Sequence, residues 1–231
     1  MSQSKIIVAL DYPDANAALN MADQLDPSRC RLKIGKELFT RSGPEIVKTL
    51  QQKGFDIFLD LKYHDIPNTV AKACAAAADL GVWMMNVHTL GGPAMMSAAR
   101  EAIGSHHDAP LLIGVTLLTS MDQQTFEAIG LEGTIPETVL RLAVMAADNG
   151  LDGVVCSAHE TAMLKAELGS QFQLGAPGIR PAGSSKGDQH RIMTPKQALD
   201  AGSHYLEIGR PITKAPDPMQ ALEEIEQSLL K

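Results

Sequence analysis

Eight short apolar runs recur along this chain, and helix-forming stretches separate them. The runs are IIVALD (6–11), RLKIG (31–35), DIFLDLK (56–62), WMMNVH (83–88), LLIGVTLL (111–118), GVVCS (153–157), QLGAPG (173–178) and YLEIGR (205–210). Between them stand segments such as EIVKTLQQKG, NTVAKACAAAADLG, PAMMSAAREAIG and PETVLRLAVMAADNG. Ala, Leu, Met and Glu dominate these, the residues that lose least on entering a helix. Gly54, Gly81, Gly150 and Gly202 follow such stretches and suit a left-handed helix end. Strand–helix alternation implies parallel pairing, because each helix carries the chain back to the same edge. Eight units in 231 residues fit a closed (β/α)8 barrel, an α/β fold, better than an open doubly wound sheet. No GxGxxG follows the first run, as a dinucleotide-binding open sheet would want. No linker, low-complexity segment or charge block divides the chain, so the expectation is one barrel domain over residues 1–231.

Composition narrows the function classes. The formal charge of −7 and the lack of a basic run argue against a nucleic-acid partner. The first residues, MSQSKIIVALDYP, are too short in their apolar part for a signal peptide, and no run approaches a membrane span. Cys30, Cys74 and Cys156 are scattered without CxxC spacing, which suits buried core residues in a reducing compartment. A cytoplasmic enzyme without membrane contact is expected.

In a barrel, chemistry sits at the C-terminal strand ends. Those ends carry Asp11, Lys33, Asp60 with Lys62, His88, Thr119, Ser157, the Arg180 loop and Arg210. The N-terminal ends offer nothing comparable. FLDLKYHDIPNT, residues 58–69, concentrates the question, since charges at a buried strand end are costly to desolvate. Asp60 and Lys62 are two apart, so a strand points both to one face. One reading is an ion-pair network that closes the barrel top. The other is a lysine held protonated by flanking carboxylates, ready to give a proton to a developing carbanion. A second cluster reads as a phosphate grip: Arg180 in GIRP, Gln189 in GDQ, and Gly209 with Arg210 in IGRPI. The longest irregular stretch, 177–195, holds Gly183 and Gly187 and is expected to close over a ligand. His88 and His64 read as structural, His106 and His107 as solvated, and Trp83 as barrel packing. Met84, Met85, Met95 and Met96 read as core filler. No His, Asp and Glu set has metal-ligand spacing.

VALDYP, RLKIGKELF, FLDLKYHDIPNT, NVH..GG, APLLIGVTLLTSM, DGVVCSA, PGIRP..S..GDQ.RI.TP and IGRPIT stand in this order from about residue 6 to 217. In this the chain resembles the bacterial orotidine 5′-phosphate decarboxylase family. The resemblance implies a (β/α)8 homodimer that converts orotidine 5′-monophosphate to UMP and CO2 without metal or organic cofactor. It implies Lys62 as proton donor to pyrimidine C6 and Asp60 near the departing carboxylate. Asp65, Ile66 and Thr69 would cross into the partner subunit's site and complete a Lys33–Asp60–Lys62–Asp65 array. Asp11 and Lys33 would hold the ribose hydroxyls, and Thr119 and Ser157 would lie near the pyrimidine. Arg180, Gln189, Gly209 and Arg210 would contact the phosphate.

Two positions depart from the family pattern. Ala176 stands where threonine is common, and Glu207 where an aliphatic residue is usual. Glu207 is expected near the rim or paired with a basic neighbour. The alternative activities are a sugar-phosphate decarboxylase or hexulose-phosphate synthase that uses Mg²⁺ on the same barrel, and a phosphate-binding isomerase or epimerase. A non-catalytic nucleotide sensor is the alternative from another class, and Lys62 argues against it, because a pure binder needs no buried proton donor.

Overall fold

Eight strands, each paired in parallel with its neighbours, close into a barrel in chain order. The computed structural model describes residues 4–105, 107–181 and 192–230. The strands are β1 (Ile6–Leu10), β2 (Arg31–Gly35), β3 (Ile57–Tyr63), β4 (Met84–His88), β5 (Leu111–Val115), β6 (Gly153–Val155), β7 (Gln173–Ala176) and β8 (Tyr205–Ile208). Pairing of β8 with β1, Glu207 opposite Ile7, closes the ring and excludes the open sheet. Gln189, Gly183, Gly187 and His106 lie outside the described residues.

The pleat of each strand sorts its side chains into two cores. Ile6, Val8 and Leu10 of β1 and Leu32 and Ile34 of β2 join the apolar layer beneath the helices, with Val47, Leu50 and Val70 in the same cluster. Each side chain of that size stabilises the fold by about 2 kcal/mol when removed from water. Ile7, Phe58, Met84, Ile113, Val115 and Val155 form a separate cluster inside the lumen. Cys30, Cys74 and Cys156 are buried free thiols. Burial pushes Cys30 and Cys74 up to about 12, so both behave as small apolar residues. Ala176 faces the outer layer, away from the lumen.

Local sequence explains where the helices begin and end. Helix Ile135–Asp148 opens on a capping box, Thr134 with Glu137, and Pro136 in the first turn sacrifices no hydrogen bond. The chain leaves it at Gly150 with φ 76°, a conformation that costs glycine no Cβ clash. Thr194 and Gln197 form the same box before helix Pro195–Ala201.

Two strands stop before their apolar runs do. β6 has only three residues, so Val115, opposite Val155, is the last residue of β5 in register with it. β7 ends at Ala176, where Pro177 has no N–H to continue the ladder. Leu117, Leu118, Pro177 and Gly178 are thereby released to line the barrel mouth. The opposite end carries charge too, against the expectation from sequence. There Arg31 is buried, its guanidinium carbon 4.1 Å from the centre of the Trp83 ring.

Candidate active site

The mouth at the C-terminal strand ends holds a cavity of about 450 Å³, within the range of small-molecule sites. Its floor is built by β3. Phe58 and Leu59 pair with Met84 and Met85, and then Tyr63 pairs with Val87, so three residues of β3 oppose Asn86 alone. The excess is a bulge, a device that re-aims side chains. Within it Lys62 takes φ 51°, the sole positive φ outside glycine among the described residues. Such a backbone costs on the order of 1–3 kcal/mol and persists only where its surroundings hold it. Here the holder is Asn86, fully buried, whose Oδ1 accepts from the Lys62 N–H at 2.8 Å. Simple alternation put Asp60 and Lys62 on one face; the structure brings them together through the bulge.

Asp60 is the hub. Its Oδ1 accepts from Asn86 Nδ2 at 2.7 Å and from Lys62 Nζ, and its Oδ2 accepts from Lys33 Nζ at 3.0 Å. Lys33 also stands 3.7 Å from Asp11 Oδ1. Burial alone would raise the Asp60 carboxyl, but Lys33 and Lys62 outweigh it and hold the group below the usual carboxylate range. Burial would likewise lower Lys33, and Asp60, Glu207 and Asp11 outweigh that and hold it above the ordinary amine range. Both shifts favour the ion pair. Asp60 and Lys33 are nearly enclosed, whereas a quarter of the Lys62 side chain faces the cavity.

The opposite wall comes from the ends of β7 and β8. Arg180, Gly209 and Arg210 line the same cavity, joined by Lys214. Arg180 is buried, and its Nη1 donates to the Ile179 carbonyl at 2.9 Å. Its backbone N–H donates to Met193 at 3.0 Å, and Ile179 bridges Met193, so the chain on either side of residues 182–191 is joined at its base. Thr119 lines the cavity from the β5 side.

Asp11, Lys33, Asp60, Lys62, Thr119, Arg180, Gly209 and Arg210 are thus brought together as expected from sequence. Ser157 is buried, but its backbone N–H donates to Glu160 and its hydroxyl accepts from the His159 N–H at 3.4 Å; it does not line the cavity. Asp65, Ile66 and Thr69 are exposed, and Asp65 Oδ1 accepts from the Ile66 N–H at 2.6 Å. Gln189 lies outside the described residues. Asn86 and Lys214 were not foreseen; an asparagine inside the apolar run WMMNVH was the available signal for the first. Glu207 is neither at the rim nor in an ion pair with a described residue. The β8 pleat turns it into the lumen, where it is 9% exposed and lines the cavity floor. His88 is half-buried at the end of β4, its ring 5.4 Å from that of His64.

The array can do one thing well. It presents an ammonium, Lys62, to a cavity while the rest of its charge is internally compensated, and cations line the far wall. That suits a ligand anionic at one end and developing negative charge at the other.

The chain matches the Orotidine 5'-phosphate decarboxylase / HUMPS family over residues 4–225. It is 58% identical over 229 residues to the orotidine 5'-phosphate decarboxylase of Nitrosococcus oceani, with 99% of each chain covered. It is 60% identical over 230 residues to that of Shewanella sediminis, covering 99% of this chain and 98% of the relative. The crystal structure of orotidine 5'-phosphate decarboxylase from Lactobacillus acidophilus superposes with a TM-score of 0.87 at 38% identity, covering 98% of this chain and 99% of that one.

Proposed function

This chain belongs to the orotidine 5'-phosphate decarboxylase / HUMPS family, and from that premise we propose that it converts orotidine 5′-monophosphate to UMP and CO2 in pyrimidine biosynthesis. The observation that carries the reading is the Lys33–Asp60–Lys62 array on the floor of a cavity whose far wall holds Arg180, Arg210 and Lys214. The arginines and Lys214 receive the phosphate, which anchors the nucleotide far from the reacting carbon. Asp11 and Lys33 take the ribose hydroxyls. The pyrimidine then lies over Lys62.

When the bond from C6 to the carboxylate breaks, its electron pair stays on C6 and CO2 leaves. The Lys62 ammonium stabilises that pair and then transfers its proton, so a C–H bond replaces the C–C bond. A unit charge about 4 Å from the developing anion is worth about 4 kcal/mol at an effective dielectric near 20. Asp60 adds repulsion against the substrate carboxylate, but it is held by two ammonium groups and an amide. Compensated in this way, it contributes less through ground-state stress than Lys62 does through transition-state stabilisation.

The protein works as a cytoplasmic homodimer. Asp65 is exposed and outside the array of its own chain, which fits a residue that completes the array of a partner. Mixing Lys62→Ala with Asp65→Ala subunits restores part of the activity; none after proven exchange would sink the shared site.

The Mg²⁺-dependent alternative meets an obstacle at the carboxylates. Lys33 Nζ sits between Asp60 and Asp11, at 3.0 and 3.7 Å, where a bridging cation would stand. Loss of substrate absorbance in excess chelator separates the two. Full activity is expected, and the Lys62→Ala protein beside it should lose about 10⁴-fold in kcat. Inhibition by chelator, or a Lys62→Ala protein within tenfold of wild type, would overturn the assignment.

A further inference from the structure

Among the described residues, four buried charged side chains line the cavity: Lys33, Asp60, Arg180 and Glu207. The first three have hydrogen-bond partners. Glu207 has neither a hydrogen bond nor an ion pair with any described residue, and the decarboxylation above does not use it. Its place follows from the β8 pleat, which turns Glu207 and Gly209 inward toward the cavity. Near it on the neighbouring strand β7, Gly175, which pairs with Tyr205, carries no side chain. Glu207 Oε1 lies 3.8 Å from the point where a Cβ at residue 175 would stand. That is ordinary contact distance, and the glycine offers the carboxyl no side-chain donor.

Charge surrounds this group on its other sides. Asp11 faces it from the end of β1, Lys33 from β2, and Asp60 and Lys62 from β3. Arg180 and Arg210 line the same cavity further out, toward the phosphate wall. Lys33 and Lys62 already balance Asp11 and Asp60. An ionised Glu207 would therefore leave the floor with surplus negative charge, directly beneath a ligand that is itself anionic.

We propose that Glu207 is a ligand-facing residue of this site that works as a neutral carboxylic acid: the cavity takes its anionic ligand with Glu207 protonated, its O–H turned to an acceptor of the ligand, and ionisation of Glu207 weakens binding. This rests on the reading of the ligand as orotidine 5′-monophosphate or its product. Burial pushes the carboxyl up to about 7, opposed by Lys33 and Lys62 and reinforced by Asp60 and Asp11. An incoming anion raises its proton affinity further, so a proton is drawn from solvent on binding. By reciprocity, loss of that proton must weaken the ligand.

UMP binding followed by calorimetry from pH 6.5 to 8.5, in two buffers of different ionisation enthalpy, counts the protons taken up. The second ionisation of the UMP phosphate, at about 6, falls below this window. Wild type should take up close to one proton per UMP in its upper half, and its affinity should fall by about tenfold per pH unit there. Glu207→Gln and Glu207→Leu, both neutral, should bind without uptake and with flat affinity. A wild type with flat affinity and no uptake overturns the proposal by itself, as does a folded variant that keeps the wild-type slope. A protein that turns over orotidine 5′-monophosphate but binds UMP independently of pH removes only the role of Glu207. A protein that neither binds UMP nor decarboxylates its precursor removes the functional reading and this inference together.

Discussion

Arg31 and Lys33 leave the same face of β2 two residues apart, and both are buried cations. Their surroundings have little else in common. At the closed end of the barrel, the Arg31 guanidinium carbon sits 4.1 Å from the Trp83 ring centre and 5.6 Å from that of Tyr205. The two rings meet edge to face at 5.1 Å, Nε stands 3.4 Å from Asp56, and Nη1 donates to the Ser4 carbonyl. Its described neighbours include two rings, a carboxylate and a backbone carbonyl, and Arg31 itself does not line the mouth cavity. At the mouth, Lys33 is held by carboxylates, Asp60 and Asp11, around a space large enough for a nucleotide. Rings stabilise a cation where water must be kept out. Carboxylates do so while leaving the charge able to respond to a ligand. One end of the lumen is a plug and the other faces the cavity, and position along a single strand decides which is which.

Substitution by methionine at each position is the sharpest way to break that contrast. Lys33→Met should lower kcat/KM by about 100-fold, because Asp60 loses one of its two ammonium partners and the proposed ribose contact loses a donor. Its melting temperature should move less, since Lys62 and Asn86 still hold Asp60. Arg31→Met should do the reverse. It removes the stacking with Trp83 and Tyr205 and strands part of Asp56, a loss of about 2 kcal/mol or 4–8 °C in Tm, with kcat/KM unchanged. Paired melts and steady-state kinetics decide it. An Arg31→Met protein that stays folded but inactive, or a Lys33→Met protein that melts early and works normally, would erase the distinction.

The same strand shows how far the sequence could be read. Strand–helix alternation is local, so the eight units and the C-terminal clustering of polar residues were legible, and with them the approach of Lys33, Asp60 and Lys62. The plug was not, because nothing local tells that Arg31 of β2, Tyr205 of β8 and Trp83, just ahead of β4, meet at one end. The bulge at Lys62 escaped for a similar reason: it exists only in the register of β3 against β4, where Asn86 opposes three residues. Glu207 was expected at the rim or paired with a basic neighbour; barrel closure puts it opposite Ile7, whose side chain lies in the lumen. The role proposed for Asp65 needs a second chain, which no single-chain geometry supplies.

His88 is a third base on the lumen side, and it meets burial in yet another way, by shedding its proton. Its ring is pushed down to about 4 by burial first, then by His64, Lys36 and Lys62, with Asp60 opposing. Nδ1 is buried and makes no hydrogen bond with a described residue. The unfolded chain binds its proton near 6.5. Between about 6.5 and 4 the unfolded state therefore holds a proton that the folded state refuses, and stability falls as pH drops through that window. Above it the contribution is complete. Glu207 acts in the opposite sense over part of the same range, since its carboxyl, raised to about 7, binds a proton more readily folded than unfolded. Comparing wild type with His88→Phe at pH 7.5 and pH 5 cancels Glu207 and isolates the imidazole. Wild type should lose about 1 kcal/mol more than the variant on acidification, discounted for the water that reaches the half-buried ring. In Tm that is about 2–4 °C. Equal losses in the two proteins would mean that His88 keeps its proton inside the barrel after all, with Asp60 as a true partner, and the lumen would then hold one more cation of the Lys33 kind.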